Sequence, residues 1–208
     1  MHGGVTGLTR ATIRSAPGVC RDCVWWQSRG NRTASKARWT ERAEEDFGEW
    51  GTIYFDDGGR LLGSMQYGPS HLFPRAADLP AGPASDDAVL VTCAYLSDPS
   101  SPWSLQSLFL ACIGACHERG LPAIEAFAFV HAAEAEFAER FLNHRTVFPR
   151  DFLADYGFRT LRSAGRVELM RLELGGLQPA IEDGFVAQAV RRAAEIITGP
   201  PPVPAPAS

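Results

Sequence analysis

The sequence contains little that would direct the protein to a membrane or to nucleic acid. No apolar run among its 208 residues approaches the ~20 residues that a membrane-spanning helix needs. The formal net charge is −4, so no basic excess is available to neutralise a nucleic-acid backbone. The segment 1–15 lacks the apolar core of a signal peptide. We therefore expect a cytoplasmic protein that has neither a membrane nor a nucleic acid as its partner.

Cysteine is also scarce, with five residues in the whole sequence. An odd number of cysteines in a chain of this length argues against a disulfide framework and favours reduced thiols. Cys20 and Cys23 have the spacing of half a zinc site or of a redox pair. The other possible donors, Cys112, Cys116 and His117, lie far along the chain without matching spacing. We expect no metal site, and a redox or metal role for the Cys-x-x-Cys pair is the weakest of three hypotheses.

What is present is the composition of an ordinary globular domain, with 45% hydrophobic and 21% charged residues. Residues 1–19 are predicted to be a flexible arm, with a weak strand signal at 9–14. A single domain is expected over 20–175. Residues 176–198 are predicted to hold a C-terminal helix, and the Pro-rich segment 199–208 to be disordered.

The first half of the domain predicts a helix followed by a hairpin. Ser35 is a favourable N-cap for a helix that ends at Gly48. Residues 50–68 read as two strands joined by the Asp-Gly-Gly turn at 57–59. The segment 69–87 contains four prolines and is predicted to be a long loop.

The most informative stretch follows that loop and predicts a βαβ unit. Residues 88–96 form an apolar strand, 97–103 a polar turn, 104–120 an amphipathic helix and 121–129 a second apolar strand. Such a unit normally places its two strands parallel and side by side. The turn lies at the amino end of the helix, where free backbone N–H groups bind anions. A phosphate-bearing ligand is therefore expected at this turn.

The second half of the domain predicts two more helices and two closing strands. Residues 132–142 fit one helix, and a short helix begins at Pro149 and ends at Gly157. Strands are predicted at 159–163 and 166–174, ahead of the C-terminal helix.

This order of elements resembles the GNAT superfamily of acyl-CoA-dependent N-acetyltransferases. The matching parts are the helix and hairpin of 35–67, the βαβ unit of 88–129 and the Phe-Leu-Ala-Asp-Tyr-Gly-Phe segment at 152–158. A subgroup of the family is similar in its Cys-x-x-Cys segment near the start and in the Gln-Tyr-Gly-Pro and Phe-Pro-Arg segments at 66–69 and 73–75.

The resemblance implies an α/β (α+β) fold, a mixed twisted sheet of about six or seven strands with helices on both faces. The fourth strand, 88–96, and the fifth, 121–129, would splay apart and admit acetyl-CoA or another acyl-CoA. The implied activity is acyl transfer to an amine on a small molecule or a protein. Dimerisation is common in the family, so a homodimer is possible. The second hypothesis is a catalytically degenerate GNAT-fold binding or regulatory module.

That second hypothesis arises because the phosphate-binding turn departs from the family pattern. The family uses glycines here, whereas residues 97–107 contain none. Ser104 and Gln106 align with the glycine positions, and Pro102 removes one N–H donor. The residues expected to bind the cofactor are Tyr95, Leu96, Ser101, Trp103, Ser104, Leu105, Gln106 and Ser107.

Three residues are candidates for proton transfer. The family's acid tyrosine usually lies four residues before the glycine of the closing motif, where this chain has Leu153, so Tyr156 is either a displaced acid or a packing aromatic. Glu125 lies inside an apolar strand, where burial raises a carboxyl pKa and suits a general base. The alternative for Glu125 is pairing with an arginine or with backbone N–H groups. His131 is the other candidate base, and its alternative is an exposed loop histidine.

Overall fold

The computed structural model describes residues 4–30, 33–131 and 147–176. The chain divides into two units, Met1–Gly175 and Gly176–Ser208, and the described residues belong to the first unit apart from Gly176. The helix predicted at 132–142 lies outside the described residues. So do the predicted C-terminal helix and the Pro-rich tail.

The strands form one mixed sheet in the order β1-β2-β3-β4-β5-β8-β7, with β6 paired to the end of β5. Their bounds are β1 Gly4–Gly7, β2 Gly51–Phe55, β3 Leu61–Pro69, β4 Ala88–Leu96, β5 Ala123–Phe129, β6 Phe148–Pro149, β7 Arg159–Ala164 and β8 Val167–Glu173. β5 runs parallel to β4 and to β6, and the other neighbouring pairs are antiparallel. This architecture confirms the predicted mixed α/β sheet.

Four α-helices lie within the described residues: α1 Gly18–Asp22, α2 Lys36–Asp46, α3 Pro102–Glu118 and α4 Arg150–Asp155. Short 3-10 turns occupy Ile13–Ser15, Ser70–Leu72 and Pro74–Asp78, so the proline-rich loop is partly ordered into turns. The longest helix, α3, packs on strands β1 to β5. It connects β4 to β5 as the predicted crossover.

Local sequence signals account for where the first helix and hairpin begin and end. The Ser35 hydroxyl accepts a hydrogen bond from the backbone N–H of Arg38, which caps α2. Gly48, just after the helix, has φ +84°, and Gly59 in the β2–β3 turn has φ +78°. Both values fall in the left-handed region that glycine adopts without a steric penalty.

Residues 4–19 form secondary structure within the segment 1–19 that the sequence analysis predicts to be a flexible arm. Residues 4–7 form β1, which pairs antiparallel with β2 from Gly4↔Phe55 to Gly7↔Thr52. Leu8 is buried, and its backbone exchanges hydrogen bonds with Gly51 and Trp50. The predicted strand at 9–14 is instead a turn followed by a 3-10 helix. The outer edge of β2 provides the ladder that orders this segment, and no local pattern reveals that pairing.

An aromatic cluster joins α3 to the closing half of the sheet. The Phe109 ring lies 5.0 Å from Phe148, 5.1 Å from Phe152, 6.1 Å from Tyr156 and 6.4 Å from Phe158, measured between centroids. Three of these contacts are edge-on and the contact to Tyr156 is stacked. The cluster therefore fixes α4 and β6 against α3.

Candidate active site

The two central parallel strands pair over only part of their length. β4 and β5 are in register from Ala88↔Ala123 to Val91↔Ala126. Beyond that point β5 pairs with β6 instead, through Ala128↔Phe148 and Phe129↔Pro149. The last residues of β4 remain paired with β3 on the opposite edge. Among the described residues, the edge of β4 that faces β5 is therefore open beyond Val91, as expected for splayed strands.

A β-bulge stands where the two strands part. In the β3–β4 ladder Gln66 pairs with Cys93 and Tyr67 with Val91, so Thr92 is the extra residue. The Thr92 hydroxyl donates to the Gln66 carbonyl at 3.0 Å and accepts from the Gln66 side-chain amide at 3.2 Å. A bulge bends its strand and increases the local twist, which accounts for the departure of β4 from β5.

The predicted phosphate site lies at the amino end of α3. Ser101 occupies the N-cap position, with Pro102 in the first turn, but its side chain makes no capping bond to the backbone. The Ser101 and Ser104 hydroxyl oxygens lie 3.4 Å apart. Both Ser104 and Leu105 are buried, whereas the Trp103 side chain is 58% exposed. Trp103 is therefore largely exposed to solvent in this structure.

Other residues of this turn have local partners. The Ser100 backbone N–H donates to the Asp98 carboxylate at 2.9 Å, and the Ser100 hydroxyl donates to it as well. The side-chain hydrogen bond from Ser100 holds the pKa of Asp98 below its usual value. Ser107 donates its hydroxyl proton to the Trp103 carbonyl, and Gln106 is exposed. The turn thus presents serine hydroxyls beside one negative charge.

The last part of β4 also lines a cavity of about 450 Å³. We call it the tryptophan cavity. Its lining comes from the amino-terminal segment, α1 and the residues just after it, α2, the residue before β2, β3 and β4. The lining residues are Leu8, Ile13, Ala16, Val19, Cys20, Cys23, Trp25, Trp26, Gln27, Lys36, Trp50, Ser64, Met65, Gln66, Cys93, Ala94 and Tyr95. Because Cys93, Ala94 and Tyr95 belong to the part of β4 that has left β5, the cavity adjoins the open edge.

Tyr95 and Leu96 lie on that same stretch of β4 with different exposure. Tyr95 is half-buried, pairs with Ser64 and lines the tryptophan cavity. Leu96 is buried and pairs with Gly63. Of the residues predicted to bind the cofactor, Tyr95 is therefore the one that reaches the cavity, and the residues of α3 lie beyond the end of the strand.

Glu125 is fully buried, and both of its carboxylate oxygens are engaged. One oxygen accepts from the Ser85 backbone N–H at 2.8 Å, and the other accepts from the Arg171 guanidinium at 3.1 Å. Arg171 also pairs with Asp87 and Glu173. These contacts confirm the alternative given for Glu125, a carboxylate paired with an arginine and a backbone N–H. The role of Glu125 as a general base stays a prediction.

Tyr156 lies at the carboxyl end of α4 and packs against α3. Its ring stacks on Phe109 at 6.1 Å and contacts Phe152 at 5.1 Å. Burial, together with the charge of Asp155, raises the pKa of Tyr156 to about 12. The hydroxyl therefore carries its proton throughout the neutral range. Packing against the middle of α3 agrees with the core-aromatic alternative and leaves the acid role as a prediction.

His131 follows the end of β5 and is half-buried. Its ring lies 4.9 Å from the Phe129 ring in an edge-on arrangement. The exposed loop position given as the alternative is therefore not what the structure shows. Its role as a base stays a prediction.

Residues that the sequence analysis did not select supply the polar groups of the tryptophan cavity. Lys36, in the first turn of α2, donates to the Gln66 side-chain oxygen at 3.1 Å. Its ammonium lies 4.6 Å from the Trp39 ring centroid and 5.5 Å from that of Trp50. Burial lowers the pKa of Lys36. One available signal was compositional, because Lys36 is the single lysine of the sequence.

The Cys-x-x-Cys pair also reaches this cavity, since Cys20 and Cys23 both line it. Within residues 4–30, 33–131 and 147–176, no group of three or more His, Cys, Asp or Glu side chains is arranged to hold a metal ion. No helix in the same ranges is long and apolar enough to cross a lipid bilayer.

The divided β4–β5 pair, the bulge that parts it and the helix that begins beyond β4 define a GNAT-type fold, as the sequence resemblance implied. Several solved structures with a similar chain path are described as acetyltransferases or N-acetyltransferases. A GCN5-related N-acetyltransferase from Kribbella flavida has a TM-score of 0.49 at 13% identity, over 82% of this chain and 97% of that one. Ard1 from Thermoplasma volcanium has a TM-score of 0.47 at 12% identity, and the match covers 83% of this chain and 98% of that one.

A phosphinothricin acetyltransferase from Sinorhizobium meliloti, solved in complex with AcCoA, gives a TM-score of 0.46 at 14% identity, over 83% of this chain and 89% of that one. No family model and no curated protein matches the sequence. The TM-scores of these three structures lie below 0.5. The fold class of this chain follows from its strand order and from the divided β4–β5 pair.

Proposed function

We propose that this protein is an N-acyltransferase that moves an acyl group from acetyl-CoA, or another acyl-CoA, to an amine acceptor by direct attack. The observation that carries the proposal is the open edge of β4 beyond Val91. A strand edge with unpaired backbone groups offers N–H donors to an extended ligand and to a developing oxyanion. The tryptophan cavity adjoins the same stretch of β4 and provides a place for the acceptor.

The residues at the amino end of α3 fit a phosphate-bearing ligand in part. The free N–H groups of a helix terminus favour anions, and the exposed indole of Trp103 offers a surface on which a ligand could pack. Ser101 and Ser104 add hydroxyl groups. Pro102 contributes no N–H, and Asp98 places a negative charge nearby. We therefore expect binding that is weaker than a glycine-rich turn would give.

Bound acyl-CoA would supply an activated thioester carbonyl. The chain's own part is to orient the amine from the tryptophan cavity, to donate a backbone N–H near Tyr95 to the carbonyl oxygen, and to move protons. When the carbon–nitrogen bond forms and the carbon–sulfur bond breaks, the amine loses a proton and the thiolate gains one. His131 is the candidate for the first transfer, and Tyr156, protonated below pH 12 or so, for the second.

The test uses two variants that differ only in charge. Trp103→Glu places a carboxylate at an exposed position in the first turn of α3, where the helix dipole tolerates or favours it. Trp103→Gln is its neutral match. We expect calorimetric affinity for acetyl-CoA to fall on the order of tenfold in the glutamate variant relative to the glutamine variant, because the carboxylate repels the phosphates. Equal affinity in both variants would place the phosphates elsewhere.

The glycine-free turn and Asp98 favour one competing function, a binding or regulatory module without turnover. Release of free thiol in the presence of an amine library separates the two. Acetyl-CoA bound by the protein but never consumed would support the module, whereas thiol release that depends on an amine would support the transferase.

A further inference from the structure

The tryptophan cavity contains buried hydrogen-bond donors that lack acceptors. Trp26 and Trp50 both line it, with exposed fractions of 2% and 0%. The indole N–H of each has no hydrogen-bond partner among the described residues. An indole nitrogen donates and never accepts, and a buried donor without an acceptor is costly. Two unsatisfied donors therefore lie within the wall of this cavity, where an acceptor atom of a ligand or of water would satisfy them.

Lys36 adds a positive charge to these donors. One of its three N–H donors is used by the Gln66 side-chain oxygen at 3.1 Å. Its ammonium otherwise faces the Trp39 and Trp50 rings. None of the described lining residues is an aspartate or a glutamate. The cavity therefore holds a cation without a carboxylate to pair with it.

The groups whose charge acts on Lys36 leave that cation largely uncompensated. They are the thiols of Cys20, Cys23 and Cys93 and the carboxylate of Asp22. Thiols are mainly neutral at pH 7, and burial raises the pKa of Cys93 to about 12. Asp22 is exposed to solvent on α1, where water screens its charge.

We propose that the tryptophan cavity binds a small apolar ligand through a carboxylate group, and that the acyl acceptor is an amine carrying such a carboxylate. A carboxylate supplies both the negative charge that Lys36 lacks and the lone pairs that the indole N–H groups lack. The body of the ligand would lie against the aromatic and aliphatic lining. An ammonium group brings only donors and a like charge, so the amine end would lie at the β4 edge beside Ala94 and Tyr95. The part of this proposal that concerns the acyl acceptor rests on the proposed transferase function.

A proton is linked to this binding. Burial lowers the pKa of Lys36 in the free protein, and an adjacent carboxylate would raise it again. Carboxylate binding should therefore take up protons wherever free Lys36 is partly neutral. The affinity for the carboxylate should decrease as the pH rises through the pKa that Lys36 has in the free protein.

The binding experiment uses the full chain without acyl-CoA and three probes of nearly equal shape: 3-phenylpropionate, 3-phenylpropanamide and 3-phenylpropylamine. Calorimetry and tryptophan fluorescence report binding. We expect the carboxylate to bind tightest at pH 7 and the amine weakest. Lys36→Met should weaken carboxylate binding about 10- to 100-fold and leave amide binding unchanged, as expected for loss of a charged hydrogen bond.

Two controls keep the result interpretable. Arg60→Met removes an exposed cation in the β2–β3 hairpin, 79% exposed in its side chain, and should leave all three affinities unchanged. Lys36→Arg keeps the charge and should restore part of the carboxylate affinity. Circular dichroism and thermal unfolding show whether each variant is folded. If Lys36→Met does not fold, the next measurement replaces it.

That measurement uses the fact that the sequence has one lysine. Labelling with [13Cε]-lysine gives one resonance, and its pH titration reports the pKa of Lys36 in the unmodified protein. We expect a pKa below 10.5 in the free protein and an upward shift on adding 3-phenylpropionate. Equal affinity for the three probes, or a pKa that does not respond, would overturn the carboxylate site.

A parallel titration with acetyl-CoA separates this proposal from the transferase. Acetyl-CoA binding without carboxylate selectivity would overturn the acceptor class and leave the transferase standing. Carboxylate selectivity in a protein that does not bind acetyl-CoA would support the site and overturn its role in acyl transfer.

Discussion

At the scale of single residues, two charged side chains, Glu125 on β5 and Lys36 in α2, have opposite surroundings. Glu125 is enclosed by the Ser85 N–H and by Arg171. Lys36 has a neutral amide and aromatic rings instead of a counter-ion. A buried charge with complete partners is a structural element, whereas a charge without a counter-ion is available to a ligand. Lys36 is therefore the better candidate for binding a ligand, and Glu125 the better candidate for a structural role.

The first prediction concerns the Glu125–Arg171 pair. Glu125→Ala should lower the free energy of unfolding by about 2–3 kcal/mol, because it removes a fully buried side chain and leaves the Ser85 N–H without its acceptor. Urea unfolding measures this loss. Glu173→Ala removes a carboxylate of the same arginine whose side chain is 68% exposed, and should cost less than about 1 kcal/mol. Similar losses in the two variants would contradict the structural role of Glu125.

At the scale of elements, the site is produced where β4 stops pairing with β5. The bulge at Thr92 lies one residue after the last parallel pair, Val91↔Ala126. The same threonine is bonded to Gln66, which in turn accepts from Lys36. Hydrogen bonds through Gln66 therefore connect the bulge at Thr92 with the Lys36 ammonium in the tryptophan cavity.

The second prediction tests that chain. Thr92→Val keeps the shape of the side chain and removes its hydroxyl, so the Gln66 amide and carbonyl each lose a partner inside the sheet. We expect a loss of about 1–2 kcal/mol in the free energy of unfolding. Ser97→Ala is the control, because the Ser97 hydroxyl also bonds a backbone carbonyl but is exposed. Thr92→Val should cost clearly more than this control.

The third prediction concerns the turn before α3. Asp98→Asn keeps an oxygen that can accept from the Ser100 N–H and removes the negative charge. If the phosphates lie at this helix terminus, affinity for acetyl-CoA should rise about two- to fivefold at low salt. The gain should shrink as salt screens the charge. A salt-independent gain, or none, would mean that Asp98 is remote from the phosphates.

At the scale of the whole molecule, several aspartates link stability to pH. The pKa values of Asp46, Asp56, Asp87 and Asp98 are lowered, chiefly by hydrogen bonds from Arg42, Arg60, Arg171 and Ser100 respectively. A carboxyl group whose pKa is lower in the folded state stabilises the fold above its usual pKa of 3.8. That contribution disappears as the pH falls through the folded value.

The fourth prediction follows from the lowered pKa values of these aspartates. The free energy of unfolding, measured with urea, should be level near pH 5 and should fall progressively below pH 3.8. Asp87→Asn should flatten this acid dependence, because it removes one of the groups that must take up a proton. A wild-type curve that stays level down to pH 2, or a variant curve of unchanged slope, would contradict it.

Much of the fold was determined locally by the sequence. Apolar runs specify β4 and β5, Ser35 and Gly48 bound α2, and the Asp-Gly-Gly turn places β2 against β3, because periodicity and backbone preference act over a few residues. The order of these elements predicted a βαβ unit, and its resemblance to the GNAT superfamily implied the mixed sheet and its divided central pair.

Tertiary structure decided what lies far apart in the sequence. The amino-terminal segment pairs with β2, Arg171 reaches Glu125 across neighbouring strands, and Lys36 meets Trp50 and Gln66 across three elements. Such contacts depend on strand register and on which side chains the sheet brings to one face, and no local pattern contains that information. The open strand edge could thus be expected from the resemblance of the sequence, whereas the chemical character of the neighbouring cavity depends on packing.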